Sequence, residues 1–327
     1  MEQIIQLIHD NTSFVLVGHT SPDGDAIGSC FGLAFALEKL GKNVTVVLEP
    51  YPKKYNVLPG SKFLYKGPLD ELNVDVLIAL DCADVNRLGS GQSLFNRTKH
   101  TVCIDHHQSN TGFAEFNYIE PHASSTSELV FHLVEKLVTP CIDIATVIYA
   151  GIVCDTGGFK YNSTAKSTMD IVSQLMDMGI SFTEIYNDML HKHSFAASKA
   201  KGIVLQNAMQ TSDKRIVYSY ITREERAGTG ANTSDLDGIV EYLLNTKGAE
   251  AAVLVYEKKV EETKVSFRSQ DPDVGAVAVA MGGGGHRLAA GCTVTGTAQE
   301  ALEQALSLLE KELKSGCAAS RSEAKEA

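Results

Sequence analysis

Gly18-His-Thr-Ser-Pro-Asp-Gly-Asp-Ala-Ile-Gly-Ser29 is the stretch on which the reading of this chain turns. A run of β-formers, Ser13–Val17, leads into it and an apolar helical run over residues 26–40 leads out, so it is the turn after a first buried strand. His19, Asp23 and Asp25 therefore fall at a strand's carboxyl end, the edge at which open α/β sheets bind ligands. Pro22 and Gly24 bend the loop around two carboxylates, and Gly28, Ser29 and Gly32 keep the next helix slim enough to approach the sheet. An ordinary βα turn in which Asp23 or Asp25 caps the helix would use the same residue types, so this stretch alone does not decide between ligand and cap.

Outward from it, strands alternate with helices to about residue 120. Residues 43–48 read as a second strand, residues 74–80 as a buried strand ending on Asp81, and residues 100–104 as a short one ending on Asp105-His106-His107. Three acid- or His-bearing turns thus follow three strands, and the expected fold class is α/β, a mostly parallel sheet with helices on both faces. Ser124-Ser-Thr-Ser-Glu128 reads as a helix start with its own hydroxyl caps, and a helix over residues 144–153 delivers Asp155 into Thr-Gly-Gly-Phe. His191 and His193 have no partner at ligand spacing and read as solvated. A connecting helix over 196–210 opens a second α/β pattern. It has strands over 214–221, 251–256 and 263–268, helices over 235–244 and near 274–281, the run Gly282-Gly-Gly-Gly-His286, a further strand, and an amphipathic helix over 298–313. The expected division is a catalytic domain over 1–190, a helical linker over 191–212, a smaller α/β substrate-binding domain over 213–315 and a disordered tail over 316–327.

A length of 327 residues fits roughly two domains. Composition is 44% hydrophobic and 21% charged, and no apolar run reaches the ~18 residues of a membrane span. The amino terminus lacks the basic start of a signal peptide, so a cytoplasmic location without a membrane partner is expected. Seven Cys, an odd number without a Cys-x-x-Cys pair, fit a reduced compartment better than a disulfide framework or a structural zinc site. Cys82 and Cys154 each adjoin an acid; Cys82 reads as small apolar filling, because neighbours on a strand face opposite ways. A net charge of −11 argues against a protein that coats long nucleic acid. It leaves small phosphorylated substrates open, since bound divalent cations make a pocket locally positive.

The convergent groups are His19, Asp23, Asp25, Asp81, Asp105, His106, His107 and Asp155, all placed after expected elements. Carboxylates crowded at one edge raise one another's pKa unless cations neutralise them. Carboxylate with imidazole, without Cys, suits Mn²⁺ and leaves Zn²⁺, Fe²⁺, Co²⁺ and Mg²⁺ open. Two such ions about 3.5 to 4 Å apart, bridged by one carboxylate and a water, make a hydroxide nucleophile and clamp a phosphoryl oxygen. The chemistry indicated is phosphoester hydrolysis.

At these motifs the sequence resembles the DHH phosphoesterase superfamily, named for the triplet seen here at Asp105-His106-His107. Within it, the chain is similar to the bacterial nanoRNase group, oligoribonucleases that also dephosphorylate 3′-phosphoadenosine 5′-phosphate. The resemblance runs over residues 4–313. It includes His-x-x-x-Asp-x-Asp at His19, the strand-ending Asp81, the triplet, Asp155 in Cys-Asp-Thr-Gly, and Gly-Gly-Gly-His-x-x-Ala-Ala-Gly from Gly283 to Gly291. Motifs spaced in this order are far more specific than any one of them alone. Thr20-Ser21 departs from the pattern, in which many members carry an Asn before the residue matching Pro22.

The resemblance implies that His19, Asp23 and Asp81 hold one metal ion and that Asp25, Asp81, His106 and Asp155 hold the other, with Asp81 as the bridge. His107 would face the substrate phosphate and Asp105 would orient the histidines. The carboxy-terminal part resembles the DHH-associated domain, in which Gly283, Gly284, Gly285, His286 and Arg268 would hold substrate. The glycine run lacks the Lys-Ser or Lys-Thr of a Walker loop; beside His286 it reads as a backbone nest for phosphate rather than a flexible loop. The implied activity is Mn²⁺-dependent hydrolysis of short single-stranded RNA to 5′-mononucleotides, and of 3′-phosphoadenosine 5′-phosphate. A phosphodiesterase for cyclic or linear dinucleotides is the alternative of the same chemistry, and a metal-dead nucleotide sensor is the alternative of a different class. Cleavage polarity is not readable, and the oligomeric state stays open, a homodimer included.

Overall fold

The alternation along β1 (Ser13–Val17) shows how the first part of the chain is layered. Phe14 and Leu16 face one core and Val15 and Val17 face another, so both faces of the strand are dry. The computed structural model describes residues 1–326, with side chains through Lys314, and its contacts divide the chain into the units Met1–Lys192 and His193–Ala327. The tail expected over 316–327 lies outside the residues whose side chains are described.

In the first unit β1 is joined by β2 (Asn43–Val47), β3 (Val76–Leu80), β4 (His100–Asp105) and β5 (Phe116–Ile119) in the order β2-β1-β3-β4-β5, with every pair parallel. Its helices are α1 (Glu2–Asp10), α2 (Gly24–Lys39), α3 (Gly91–Phe95), α4 (Thr126–Leu137), α5 (Ile142–Asp155), α6 (Lys166–Asp177) and α7 (Phe182–Leu190). The larger core takes residues from α1, α2 and α4 to α7; the other face is closed by Leu88 and Leu94, from a 3₁₀ turn and α3. From β1 the chain passes to β2 on one side and later returns to β3 on the other. The crevice between the ends of β1 and β3 is therefore a topological switch point, where such sheets bind ligands. Strand β5 was not anticipated: it is a four-residue edge strand with no fully buried side chain, so it leaves little apolar signature. The helix expected over 144–153 extends to Asp155, which is thus the last helical residue rather than part of the loop.

Two glycines set how closely the helices over the sheet approach. A Cβ on Gly28 of α2 would lie 2.5 Å from the Val147 carbonyl of α5, and one on Gly151 of α5 would lie 2.0 Å from Ser127 Oγ of α4. The carboxyl end of α5 and the amino ends of α2 and α4 are thereby drawn together, and these ends carry Asp155, Asp25 and Thr126.

The second unit contains α8 (Phe195–Gln206), β6 (Met209–Gln210), β7 (Ile216–Ile221), α9 (Arg223–Thr229), α10 (Ile239–Leu244), β8 (Ala251–Lys259), β9 (Glu262–Ser269), α11 (Val274–Ala280), β10 (Gly284–His286), β11 (Ala289–Val294) and α12 (Ala298–Glu326). Its sheet runs β10-β11-β9-β8-β7-β6 and is mixed, with β7 and β8 parallel and the other pairs antiparallel. Helices α11 and α12 cover one face, and α8 and α10 the other. The single helix expected over 235–244 is interrupted, because Gly238 takes a left-handed φ of +78° between the 3₁₀ turn Thr233–Leu236 and α10. Among the described residues no helix is long and apolar enough to cross a membrane.

Gly28→Ala tests the close helix contact. Alanine improves helix propensity by about 1 kcal/mol, but the added methyl meets a backbone carbonyl that cannot rotate away, and overpacking costs about 1 to 3 kcal/mol. Urea denaturation should show a net loss of stability of up to about 2 kcal/mol, and increased stability would refute the packing account.

Candidate metal centre

His19 leaves the end of β1 with its ring buried. The Ser21 amide donates to its Nδ1 at 3.2 Å, which puts the proton of the neutral ring on Nε2, and Nε2 faces Asp81 Oδ2 at 3.7 Å and Asp23 Oδ1 at 4.0 Å. Burial, ahead of all other causes, holds this imidazole below its ordinary pKa. Holding a cation through Nε2 requires that proton to leave, so cation binding and proton release are coupled here. Asp23 does cap α2, its Oδ1 accepting from the amides of Asp25 and Ala26 at 3.0 and 3.1 Å. Cap and ligand turn out to be compatible, because the cap uses one carboxylate oxygen.

Asp25 lies in the first turn of α2 and is fully buried. The amide of Thr126 donates to its Oδ2 at 2.6 Å and that of Ser127 to its Oδ1 at 2.9 Å, so the amino terminus of α4 grips this carboxylate. Thr126 Oγ1 also donates to Asp81 Oδ1 at 3.1 Å. Asp81 follows β3 with φ of +57°, a left-handed conformation that costs a non-glycine residue about 1 to 3 kcal/mol and is found where surrounding structure holds it. Its amide donates to the Ile104 carbonyl at 3.1 Å, and the conformation turns its buried carboxylate among His19, His106 and His107.

The triplet at the end of β4 divides its work. His106 Nδ1 lies 3.3 Å from the Ala123 carbonyl and must be the donor there; in the neutral ring Nε2 is then a bare acceptor, 3.3 Å from Asp155 Oδ2 and 3.7 Å from Asp81 Oδ1. Acceptors facing each other at that range repel unless a proton or a cation lies between them. His107 Nδ1 donates to Asp105 Oδ1 at 2.7 Å, and Asn110 Nδ2 donates to Asp105 Oδ2 at 2.7 Å. Burial alone would raise the Asp105 carboxyl, but these two bonds prevail and hold it below its ordinary value. The bond to Asp105 in turn raises the His107 imidazole, against burial.

Three donor sets result, His19–Asp23–Asp81, Asp25–His106–Asp155 and Asp81–His106–His107, each with its ligand atoms within 4.8 Å of one another. Oxygen and imidazole donors without thiolate fit a divalent cation of the Mg²⁺, Mn²⁺ or Zn²⁺ kind. Their electrostatics fit as well. Burial, then the charges of Asp25, Asp23, Asp155 and Asp105, pushes the Asp81 carboxyl well above the carboxylate range. Asp155 is pushed up to about 8 by burial and then by Asp25 and Asp23, and burial raises Asp25. Cations would relieve this repulsion.

All eight amino-terminal residues singled out in the sequence therefore converge at the strand ends. The sequence did not reveal Asn110, nor that residues 124–128, read as a helix cap, also bind Asp25 and Asp81. The only local signal was the density of Ser and Thr before α4. In the second unit, Arg268 lies on β9 with Nη1 donating to the Phe267 carbonyl at 2.9 Å and Nε 3.6 Å from Glu241 Oε1. Gly284, Gly285 and exposed His286 form edge strand β10 rather than a loop. A Cβ on Gly283 would lie 2.3 Å from the Gly291 carbonyl, so this glycine also serves the β10–β11 approach.

The family model for the "DHH family, N-terminal domain" matches residues 13–152, and that for the "DHHA1 domain" matches residues 213–315. The chain is 32% identical over 301 residues to the bifunctional oligoribonuclease and PAP phosphatase NrnA of Thermus thermophilus, covering 90% of this chain and 88% of that protein. It is 27% identical over 321 residues to the cyclic-di-AMP phosphodiesterase GdpP of Bacillus subtilis, covering 91% of this chain and 48% of GdpP. The crystal structure of an exopolyphosphatase-related protein from Bacteroides fragilis superposes with a TM-score of 0.87 at 29% identity, over 95% of each chain.

The cation-free protein should lose stability as pH rises. An unfolded Asp titrates near 3.9, whereas Asp155 titrates at about 8 in the fold, so the folded chain binds more protons across that window. Its contribution is complete below about pH 4 and is lost as pH rises through about 8. His107, raised, acts in the same direction; His19, lowered, opposes it only below its ordinary 6.5. Chelated protein should show a Tm that falls between about pH 5 and pH 8.5, and Mn²⁺ should raise Tm more at the higher pH. A flat Tm with no Mn²⁺ effect would refute the charge-crowding account.

Proposed function

This chain belongs to the DHH phosphoesterase family, and on that premise we propose that it hydrolyses short oligoribonucleotides to 5′-mononucleotides and removes the 3′-phosphate of 3′-phosphoadenosine 5′-phosphate. The observation that carries the reading is the facing of His106 Nε2 and the Asp155 and Asp81 carboxylates at 3.3 and 3.7 Å, within a cluster of buried like charges that two divalent cations would satisfy. We assign His19, Asp23 and Asp81 to one cation, Asp25, Asp81, His106 and Asp155 to the other, and favour Mn²⁺ for the mixed oxygen–imidazole set. Such ions supply Lewis acidity toward a phosphoryl oxygen and lower the pKa of an attacking water. Asp81 joins the two donor sets. His107, held by Asp105, presents its Nε2 side to substrate and can donate a proton or hydrogen bond to a phosphate oxygen. Free thiols at Cys30, Cys82, Cys103 and Cys292 support a reducing compartment, the cytoplasm.

The resemblance to GdpP favours a second reading of the same chemistry, a phosphodiesterase acting on cyclic or linear dinucleotides. Mn²⁺-loaded protein assayed with a dinucleotide, a five-nucleotide RNA, 3′-phosphoadenosine 5′-phosphate and a cyclic dinucleotide separates them by kcat/KM. A clear preference for the cyclic substrate would replace the first reading with the second, and full activity in excess EDTA would end both.

Asp81→Asn should reduce activity by more than about 100-fold and lower metal content. Losing a group that merely orients a ligand already costs about 10- to 100-fold, and a neutral amide bridges two cations poorly. His107→Ala should lower kcat while metal content stays near wild type; loss of a metal ion in that variant would contradict its assignment.

Arg268, His286 and Gly283 to Gly285 are proposed to hold the nucleotide. A charge-assisted hydrogen bond from guanidinium to phosphate is worth about 1.5 to 3 kcal/mol, so Arg268→Ala should cost about one to two decades of kcat/KM on nucleotides. Hydrolysis of a small activated phosphodiester should suffer much less; equal losses on both substrates would remove Arg268 from the substrate site.

A further inference from the structure

Arg87 has no role in the assignments above. It lies in the 3₁₀ turn Val85–Leu88, which follows Asp81 and is firmly pinned. The Asp84 carboxylate accepts from the amide and the Nδ2 of Asn86, each at 2.7 Å, and Leu88 is buried in the core behind. The Arg87 carbonyl accepts from the Thr20 amide at 2.8 Å, which ties this turn to the residue after His19. The side chain is exposed, and among the described residues the guanidinium has no hydrogen-bond or ion-pair partner. The tie to Thr20 places this turn beside the His19 end of the acid–imidazole cluster, and the Arg87 charge acts to lower the His19 and His107 imidazoles. Arg97, Arg226 and Arg287, by contrast, spend their guanidinium groups on carbonyls or a carboxylate.

An arginine whose turn is tied to the residue after His19, and whose guanidinium has no partner among the described residues, is free for an anion from solution. An approaching phosphate meets a cluster rich in carboxylates, and even with cations bound there a further local positive charge favours its entry. The guanidinium fork is always charged and matches two phosphate oxygens at once. We propose that Arg87 binds the phosphate group of the substrate at the mouth of the cluster. The proposal rests on the phosphoesterase reading and adds a substrate-contacting residue of the first unit that neither the motifs nor the donor sets include. Arg87 exchanges no proton; it binds and orients.

The test uses Mn²⁺-loaded wild type, Arg87→Ala and Arg87→Lys. In each, calorimetry measures binding of inorganic phosphate and of adenosine 5′-monophosphate, alongside kcat and KM on 3′-phosphoadenosine 5′-phosphate, metal content and Tm. Arg87→Ala should weaken both anions and lower kcat/KM by about 10- to 100-fold, with metal content and Tm unchanged. Added guanidinium should restore part of the loss, and Arg87→Lys, which keeps the charge and loses the fork, should fall between. Unchanged anion binding and kinetics in Arg87→Ala would overturn the proposal. So would a loss of metal in both variants without rescue by guanidinium, since Arg87 would then be supporting the cluster itself. If wild type hydrolyses none of the phosphoesters, the underlying reading fails, and phosphate binding by wild type and variants still decides whether Arg87 holds an anion.

Discussion

Carboxylates brought to one edge of a parallel sheet repel one another, and the first unit is arranged around that repulsion. Asp23, Asp25, Asp81, Asp105 and Asp155 are each answered differently. Amides of α2 satisfy one oxygen of Asp23, amides of α4 grip Asp25, and His107 with Asn110 holds Asp105 as an anion. Asp81 and Asp155 receive the least. Asp81 has the Thr126 hydroxyl, Asp155 faces the bare Nε2 of His106, and both carboxyls are pushed upward by burial and by their neighbours. The unmet charge thus concentrates where the donor sets overlap, the place at which a cation gains most.

This arrangement depends on a segment with no ligand in it. Glu128 is buried in α4, and its Oε2 accepts from the Ser124 amide, the Ser124 hydroxyl and the Thr168 hydroxyl at 3.1, 2.5 and 3.0 Å, while Ser125 Oγ accepts from the Glu128 amide at 3.1 Å. Three donors on one oxygen keep a buried carboxylate from being an uncompensated charge. They also lock residues 124–127 in the shape that aims two amides at Asp25 and a hydroxyl at Asp81. The close contacts at Gly28 and Gly151 then bring α2, α5 and α4 near enough for that aim to succeed.

A cluster that activates water and stabilises charge on phosphorus treats many phosphoesters alike. Discrimination between a dinucleotide, a longer RNA and a nucleoside bisphosphate has to come from groups that touch the remainder of the substrate. The residues proposed for that contact in the second unit, Arg268 and His286, lie on a mixed sheet of which Gly284–His286 is an edge strand. On β9, Arg268 lies 3.6 Å from Glu241 Oε1, so a phosphate at this guanidinium would compete with a carboxylate already in place.

The sequence by itself determined the layered α/β class and the position of each strand that ends on an acid or histidine, because buried parallel strands are short apolar runs closed by turn residues. Ser13–Val17 and the strand before Asp81 are legible in that way. It also determined the identity of the clustered residues, since carboxylates and imidazoles placed after such strands have little structural use. Edge strand β5 and the break at Gly238 escaped, as neither carries an apolar periodicity of its own. Only the tertiary structure decided how the charges are satisfied. The amides that hold Asp25 come from about a hundred residues away, the left-handed backbone of Asp81 is set by a neighbouring strand, and the freedom of Arg87 is the absence of a partner among the described residues. Hydrogen bonds between backbone amides and distant side chains leave no trace in residue type, because every residue but proline carries the same amide.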